Sequence, residues 1–303
     1  MSSFRLRAPV AADAPAVAEV VIALETALYG ETTYTLSDLE DEWSHVDVAQ
    51  NARVLVDGDG IVAYGTVWER GELWRLEGLV HPDAHGRGAG TQLVVALEQE
   101  ARGRGARRIQ SSVFEADVAG RRLLESLGYR PVRIFRELRI ALDEAPAAPT
   151  WPDGLRAEPF DADRDAREFH AAHQEAFADH WEHTPREFES WHAFHIGSEK
   201  FDPSLWCVVR AGDEIAAGAI SVAGLYGGGW VHALFTRRPW RGRGVAGALL
   251  QDAFVRFWER GERSVGLGVD AESDTGAFRV YERAGMKPVI GWVMYEKELA
   301  RAP

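Results

Sequence analysis

Short runs of apolar, β-branched and aromatic residues recur in the same order in both halves of the chain. The first half contains RVLV, GIVAYGTVW and LWRLEGLV, and the second half contains LWCVVR, EIAAGAISVAG and WVHALF. Runs of this length and composition, bounded by turn residues, are typical of β-strands. The connections DGDG and AGDE are short enough for tight turns, so each half is predicted to contain antiparallel hairpins.

Longer segments with apolar residues at helical spacing flank these strands. They include PAVAEVVIALETAL and TQLVVALEQEARG in the first half, and RDAREFHAAHQEAFADHW and AGALLQDAFVRFWERG in the second. One face of the last helix is marked by Leu249, Leu250, Ala253, Phe254 and Phe257. A further strand, a second helix and a closing pair of strands complete each half. The order predicts an α/β (α+β) fold in which helices flank a mixed, mostly antiparallel sheet.

The chain carries an internal repeat. Residues 81–108 align with 237–264, so that His85 falls on Arg241, 156 positions later. Between the copies runs LDEAPAAPTWPDG, whose prolines and alanines favour an extended connector. We therefore expect an N-terminal domain over 1–145, a linker over 146–152 and a C-terminal domain over 153–303.

Composition limits the classes of partner. The 303 residues are 46% hydrophobic and 27% charged, with a formal net charge of −13. This acidity argues against a nucleic-acid binder, which needs a basic face. No apolar run of membrane-spanning length occurs and the first residues do not resemble a signal peptide, so we expect a cytoplasmic protein without a membrane partner. The single cysteine, Cys207, lies in a strand-like run and is expected to be buried and inert.

The stretch RPWRGRGVAG contains the spacing G-x-G-x-x-G, which alone is a weak indication of dinucleotide binding. In that class the strand normally runs directly into the first glycine and opens the domain. Here TRRPWR separates the strand from Gly242, antiparallel strands come first, and the first copy lacks the third spaced glycine. A P-loop is also disfavoured, because neither loop has its Lys-Ser or Lys-Thr pair.

The two loops resemble the signature Gln/Arg-x-x-Gly-x-Gly/Ala of the GNAT (Gcn5-related N-acetyltransferase) superfamily. The second copy matches at every position and the first has histidine in the first slot; the matching residues are Arg241, Gly242, Arg243, Gly244, Val245 and Ala246, and His85, Gly86, Arg87, Gly88, Ala89 and Gly90. The resemblance implies two tandem GNAT domains and acetyl-CoA as co-substrate. The resemblance extends over nearly the whole chain, and the chain resembles the tandem type represented by mycothiol synthase.

The physics of the loop fits that resemblance. A pyrophosphate needs several N–H donors at once, and a helix N-terminus supplies them with a partial positive charge. Glycine allows positive φ and close backbone approach, while Arg241 and Arg243 can add charged hydrogen bonds. The resemblance further implies that the preceding strand binds the pantetheine arm of the cofactor, through Leu234, Phe235 and Thr236, and in the first half through Leu79 and Val80. A later family motif places Asp274 near the same arm, where the family commonly has Asn.

The resemblance also implies catalytic roles. Tyr281 ends the later motif and is the expected general acid, because a tyrosine hydroxyl is protonated at neutral pH. Its counterpart in the first copy is Leu124, which cannot donate a proton, so the first domain is expected to be degenerate and the second catalytic. Similar tandem enzymes carry Glu where this chain has Trp230. His232 lies two residues further on the same strand face and is the candidate base, the alternative being ordered water.

Histidines with the spacing H-x-x-H crowd the start of the second half. The pairs are His170 and His173, His180 and His183, and His192 and His195. Such spacing on a helix can hold zinc, but no cysteine lies nearby and the chemistry needs no metal, so none is expected. These residues are expected instead to cover the pocket of a small amine with an apolar or ring-bearing body.

The leading hypothesis is therefore an acyltransferase that moves an acetyl group from acetyl-CoA to the primary amine of a small molecule within a ternary complex. A non-catalytic acyl-CoA-binding or sensor protein, and a protein or peptide N-acetyltransferase, stay open as alternatives. A monomer or a homodimer is expected. The identity of the acceptor and the activity of the first domain are left open by the sequence.

Overall fold

A computed structural model describes residues 4–70 and 73–299. The chain divides into two compact units: unit 1 extends as far as Phe135 and takes in the chain again from Ile290, and unit 2 is Arg136–Val289. The domain limits expected from the sequence concern the two copies of the repeat, and they stay a prediction.

Unit 1 contains five helices among its described residues: α1 (Ala14–Tyr29), α2 (Leu36–Ser44), α3 (Val48–Asn51), α4 (Ala89–Gly103) and α5 (Val118–Ser126). Its strands are β1 (Arg5–Arg7), β2 (Ala52–Asp57), β3 (Gly60–Arg70), β4 (Leu73–Val80) and β5 (Arg108–Phe114), joined by most of β12 (Lys287–Glu298). The strand order is β1-β2-β3-β4-β5-β12. Only β4 and β5 are parallel among the pairs described for this unit.

Unit 2 repeats this order. Its helices are α6 (Ala162–Phe177), α7 (Phe188–His195), α8 (Val245–Glu259) and α9 (Ala277–Arg283). Its strands are the end of β6 (Arg130–Ala141), β7 (Arg156–Pro159), β8 (Cys207–Ala211), β9 (Glu214–Leu225), β10 (Gly228–Thr236) and β11 (Ser264–Asp270), in the order β6-β11-β10-β9-β8-β7. The predicted mixed, mostly antiparallel fold is confirmed. The predicted closing pairs of strands are wrong, because β6 and β12 are each one strand of 12 residues.

Local signals explain where the helices begin. Thr35 and Asp38 form a reciprocal capping box at the start of α2, with Asp38 N–H donating to Thr35 Oγ1 at 3.3 Å and Thr35 N–H donating to Asp38 Oδ2 at 2.8 Å. The Asp161 side chain accepts hydrogen bonds from the first turn of α6. Gly30 ends α1 with φ of +85°, which L-residues rarely adopt.

Each unit places helices on both faces of its sheet. In unit 1 a Cβ at Gly65 would lie 2.7 Å from Leu97 of α4, while the neighbouring Tyr64 packs in a cluster with residues of α1 and α2. In unit 2 a Cβ at Gly229 would lie 2.4 Å from Phe257 of α8, and one at Gly218 would lie 2.4 Å from Phe169 of α6. The helix after the Gly-rich loop therefore packs on one face, and the earlier helices pack on the other.

Cys207 is buried, as predicted, and burial raises the pKa of its thiol. Across residues 4–70 and 73–299 we find no helix with the length and apolarity required to cross a bilayer.

Candidate active site

The loop between β10 and α8 places two glycines in the left-handed region of backbone space. Gly242 has φ of +74° and Gly244 has φ of +86°, and a Cβ at either position would meet no atom within 4 Å. Conformation, and not crowding within the protein, therefore requires glycine here. Gly244 is the N-cap of α8, and within the described residues no side chain caps this helix. The N–H groups of its first turn are thus available to an anion.

Arg241 anchors this loop from inside. Its Nε donates to the carbonyl oxygen of Thr236 at 3.0 Å, and Nη2 donates to the carbonyl oxygen of Ala176 at 2.9 Å, in the last turn of α6. Nη1 donates to Asp179 Oδ2 at 3.2 Å. The three nitrogens are therefore already engaged with protein, and their hydrogen bonds connect the loop to β10 and to the end of α6.

The first copy makes the equivalent connection with a histidine. His85 Nε2 lies 3.0 Å from the carbonyl oxygen of Val80, which corresponds to the bond from Arg241 to its strand. Gly86 and Gly88 have φ of +71° and +88° and reproduce the conformation of the second loop. The first slot of the signature thus ties loop to strand in both units, whichever side chain fills it.

The third slot of the loop differs between the units. Arg87 pairs with Asp57 Oδ2 at 2.5 Å and lies over the ring of Phe4, with 5.3 Å from Cζ to the ring centroid. Arg243 is exposed and makes no hydrogen bond or ion pair with any residue that the structure describes. The positive charge of the second loop is therefore available to a phosphate, whereas that of the first loop is largely neutralised.

A gap opens between β10 and β11 beside the second loop. The strands are parallel partners as far as Val231 and Leu267, and beyond them no pairing with β11 is found among the described residues. On their other side Leu234, Phe235 and Thr236 pair with β9, their one strand partner among the described residues. The expected pantetheine-binding residues thus lie on an open strand edge, although the Thr236 carbonyl is engaged with the guanidinium described above.

His232 is the extra residue of a β-bulge in β10. Val231 pairs with Ser221 and Ala233 pairs with Ile220, so no β9 residue lies opposite His232. An inserted residue bends the strand and redirects a side chain. β4 keeps an unbroken register with β3, so the bulge at His232 has no counterpart in β4.

The bulge directs His232 towards α7. Its ring centroid lies 6.3 Å from that of His195, which in turn lies 6.4 Å from the ring of His173 on α6. Burial lowers the pKa of His173 to about 3, with the neighbouring His170 the next contribution, and burial also lowers the pKa of His180. At neutral pH the His173 ring is therefore uncharged. Within the described residues, no three side chains of metal-binding type are placed to hold an ion.

Tyr281 lies on α9 with 8% of its surface exposed. Its hydroxyl makes no hydrogen bond with the residues that the structure describes, and burial raises its pKa to about 12. The group is a proton donor at neutral pH and has a free hydrogen-bonding capacity. Leu124, its counterpart, is packed in the core of unit 1.

Trp230 lies on β10, at the position for which the sequence resemblance implied glutamate. Its ring packs edge-on against Tyr226, with centroids 4.9 Å apart, and the Arg139 guanidinium lies 5.7 Å from its centroid. A Cβ at Gly266 would lie 2.7 Å from the indole. The glycine on the adjacent strand therefore makes room for tryptophan on this face.

The other predicted residues divide into packed and exposed positions. Val245, the first residue of α8, is buried. A Cβ at Gly90 would lie 2.8 Å from Leu123, so packing favours glycine there. Asp274 is exposed on the loop before α9. The remaining residues lie where strand or helix borders the loop. Leu79 and Val80 end β4, Ala89 begins α4, and Ala246 is the second residue of α8.

Sequence reasoning missed three contributors. Asp179, directly after α6, bonds Arg241 and also Arg238. His195 was assigned only to a general pocket wall, and its proximity to His232 depends on how α7 packs. Glu77 of unit 1 was not predicted as a site residue, although it lies in a strand-like run eight residues before the first residue of the loop, His85.

These features define the class of protein. The pattern of the Acetyltransferase (GNAT) family matches residues 18–129 and 166–286, and the chain belongs to this family as a tandem of two GNAT domains. It is an acyltransferase enzyme.

Particular relatives are similar over most of the chain. A mycothiol acetyltransferase from Thermobispora bispora is 29% identical over 266 residues, covering 80% of this chain and 82% of the relative. One from Streptomyces scabiei is 29% identical and covers 80% and 76%. A GCN5-related N-acetyltransferase structure from Sphaerobacter thermophilus has 38% identity, a TM-score of 0.87 and coverage of 97% and 95%. A tandem GNAT protein from the clavulanic acid biosynthesis pathway shares the fold, with 14% identity, a TM-score of 0.77 and coverage of 99% and 100%.

Proposed function

We propose that unit 2 transfers an acetyl group from acetyl-CoA to the primary amine of a small molecule by direct attack in a ternary complex. One observation carries the proposal: the gap between β10 and β11 opens beside the uncapped N-terminus of α8. An extended thioester arm fits between separated strands while its phosphates meet the helix N-terminus. Membership of an acetyltransferase family supports the same reaction.

The loop residues would hold the cofactor. Backbone N–H groups from Gly242 to Ala246 and the unpaired side chain of Arg243 would bind the pyrophosphate, and the open edge at Leu234 and Phe235 would bind the pantetheine arm. Acetyl-CoA supplies the activated acyl group. Arg241 contributes by keeping the loop in place, since its own nitrogens bond to protein.

His232 and Tyr281 would handle the protons. The attacking amine must be neutral, and an imidazole on the bulge of β10 is suited to take its proton directly or through water. The departing thiolate needs a proton, and Tyr281, with a pKa of about 12, holds one at neutral pH. Its buried position lets the donated hydrogen bond act in a poorly hydrated site, where it stabilises developing charge more strongly than in water.

The acceptor would be a small amine with an apolar or ring-bearing body. On α7, the rings of Phe188 and His195 each pack against the buried ring of Trp191. The relatives named mycothiol acetyltransferase support a small-molecule acceptor. Trp230 in the glutamate slot favours an acceptor that differs from theirs, since a carboxylate is replaced by a bulky apolar ring.

A thiol-release assay over a panel of primary amines tests the proposal, with the acceptor of a mycothiol acetyltransferase as one member. We expect turnover of acetyl-CoA with at least one small amine, and an N-acetylated product by mass spectrometry. Binding of acetyl-CoA without turnover on any amine would favour a sensor over a transferase in this unit. Turnover confined to peptide substrates would replace the small-molecule acceptor.

A further inference from the structure

Two parallel strands also separate in unit 1, and a carboxylate lies at the point where they part. β4 and β5 pair in parallel from Trp74 and Ile109 as far as Glu77 and Ser112, and no β5 partner for the rest of β4 is found in the described residues. Glu77 therefore occupies the last paired position, where the two strands part. The equivalent position 156 residues later is Ala233, so unit 2 has no counterpart to this carboxylate.

Glu77 is accessible and yet poorly hydrated. Its side chain is solvent-exposed, and its one hydrogen bond among the described residues is a long one of 3.4 Å from Ser112 Oγ. The surrounding protein removes enough water to raise the pKa of Glu77, an effect partly offset by the charge of Arg75 and by the Ser112 hydroxyl. No ion pair neutralises this carboxylate within the described chain. This combination is typical of a group that lines a cleft.

Aromatic side chains stand on both sides of Glu77. Tyr64 pairs diagonally with it across β3 and β4, and the Tyr64 hydroxyl accepts a hydrogen bond of 2.9 Å from Trp43 Nε1. On the other side Phe114 follows Ser112 by two positions, so both point to the same face of β5. The ring of Tyr29 meets that of Phe114 edge-on, with centroids 5.8 Å apart.

We propose that unit 1 is a second acyl-transfer site, in which Glu77 accepts the proton of a cationic primary amine that carries an aromatic or other apolar body. A carboxylate flanked by aromatic rings attracts an alkylammonium ion by charge and by cation–π contact. The strand gap leads to the Gly86 and Gly88 loop, whose helix α4 has no side-chain cap among the described residues. An acyl thioester would therefore meet the same backbone donors as in unit 2.

The step balances with the acyl thioester as co-substrate. The ammonium nitrogen gives one proton to the Glu77 carboxylate, and the neutral amine attacks the thioester carbonyl. A C–N bond forms, the C–S bond breaks and releases the thiolate, and the nitrogen loses its second proton to solvent as the amide forms. Solvent protonates the thiolate, because Leu124 replaces a donor here, and Glu77 returns its proton to water, leaving an amide and a free thiol.

Separate substitutions can remove the acyl-transfer activity of each unit. Gly244→Val removes the backbone conformation of the second loop, so any remaining turnover must come from unit 1. Glu77→Gln keeps the size of the side chain and removes the proton acceptor, and Glu77→Asp keeps the charge. Glu19→Gln alters an exposed carboxylate of α1 and is the matched control.

The probe is 2-phenylethylamine, within a panel of arylalkyl amines, assayed with acetyl-CoA on the full chain. We expect turnover to survive Gly244→Val, to fall by about 10²- to 10⁴-fold on adding Glu77→Gln, to recover in part with Glu77→Asp, and to be unchanged by Glu19→Gln. Loss of all turnover in Gly244→Val would overturn the second site and leave the function of unit 2 standing. Full turnover in Glu77→Gln would also overturn it. If no amine in either panel lost turnover on Gly244→Val, the function proposed for unit 2 would fail on its own.

Discussion

The Nε atom of Arg241 donates a 3.0 Å hydrogen bond to the carbonyl oxygen of Thr236, and this bond joins the Gly-rich loop to β10, the strand before it. The guanidinium also reaches Ala176 and Asp179 around the end of α6. A cation is favourable at this point, because the carbonyl groups of the last helical turn carry partial negative charge. The first residue of the loop signature is therefore a positioning residue for the loop.

Arg241→Met keeps the apolar length of the side chain and removes the three bonds. We expect the free energy of unfolding to fall by about 1 to 3 kcal/mol, and acetyl-CoA affinity to drop about 10-fold because the loop must then be ordered on binding. Urea unfolding and calorimetric titration measure the two effects. Arg243→Met is the control: it should leave stability within about 0.5 kcal/mol while weakening affinity and its dependence on salt. Equal stability of the two variants would contradict the anchoring role.

Gly244→Val should abolish acetyl-CoA binding in unit 2. The φ of +86° is strained for any β-branched residue, and the first-turn N–H groups would be displaced. Gly247→Ala is a matched control, because a Cβ there meets no atom within 4 Å and its φ is not positive. Calorimetry should show up to two sites in the wild type, with the unit 2 site tighter since Arg87 is paired and Arg243 is not. A wild-type titration curve for Gly244→Val would place the phosphates elsewhere.

Tyr281→Phe should lower kcat and spare cofactor binding. The ring and its packing are kept, and only the proton donor is lost, so we expect a decrease of about 10²- to 10⁴-fold in kcat with little change in the KM for acetyl-CoA. Leu124→Ala, at the equivalent position, should leave turnover by unit 2 intact and reduce stability by about 2 to 5 kcal/mol through a core cavity. Steady-state kinetics on an amine accepted by unit 2 measures the first effect. Wild-type kcat in Tyr281→Phe would remove this tyrosine from the mechanism.

His173 should make stability depend on pH. Its folded pKa of about 3 lies below the ordinary value of 6.5, so the unfolded chain binds the proton more readily. The contribution of His173 to stability is therefore present above pH 6.5 and is lost as the pH falls from there towards 3. Urea unfolding of the wild type and His173→Gln at pH 7.5 and 4.5 should show a wild-type loss larger by about 1 to 3 kcal/mol. Parallel pH curves for the two proteins would mean that other groups carry the acid sensitivity.

The sequence by itself determined the features that depend on near neighbours along the chain. The two Gly-rich loops, the helices that follow them and the asymmetry between Tyr281 and Leu124 are visible without coordinates. Gly242 and Gly244 adopt positive φ, which glycine adopts with little strain, so the residue type itself indicates the conformation. Helical periodicity likewise depends only on residues that are close in the sequence. The mixed, mostly antiparallel fold followed from the order of these local elements.

Only the tertiary structure decided which distant groups meet. The chain from Ile290 belongs to unit 1, because strand pairing is a long-range choice among edges that the sequence of β12 does not specify. The bulge at His232 and the packing of α7 bring that residue to His195, and parallel pairing that ends at Glu77 leaves its carboxylate at a strand gap. The pKa of Tyr281, His173 and Glu77 depends on how much water the fold removes around each, which is a property of packing in three dimensions.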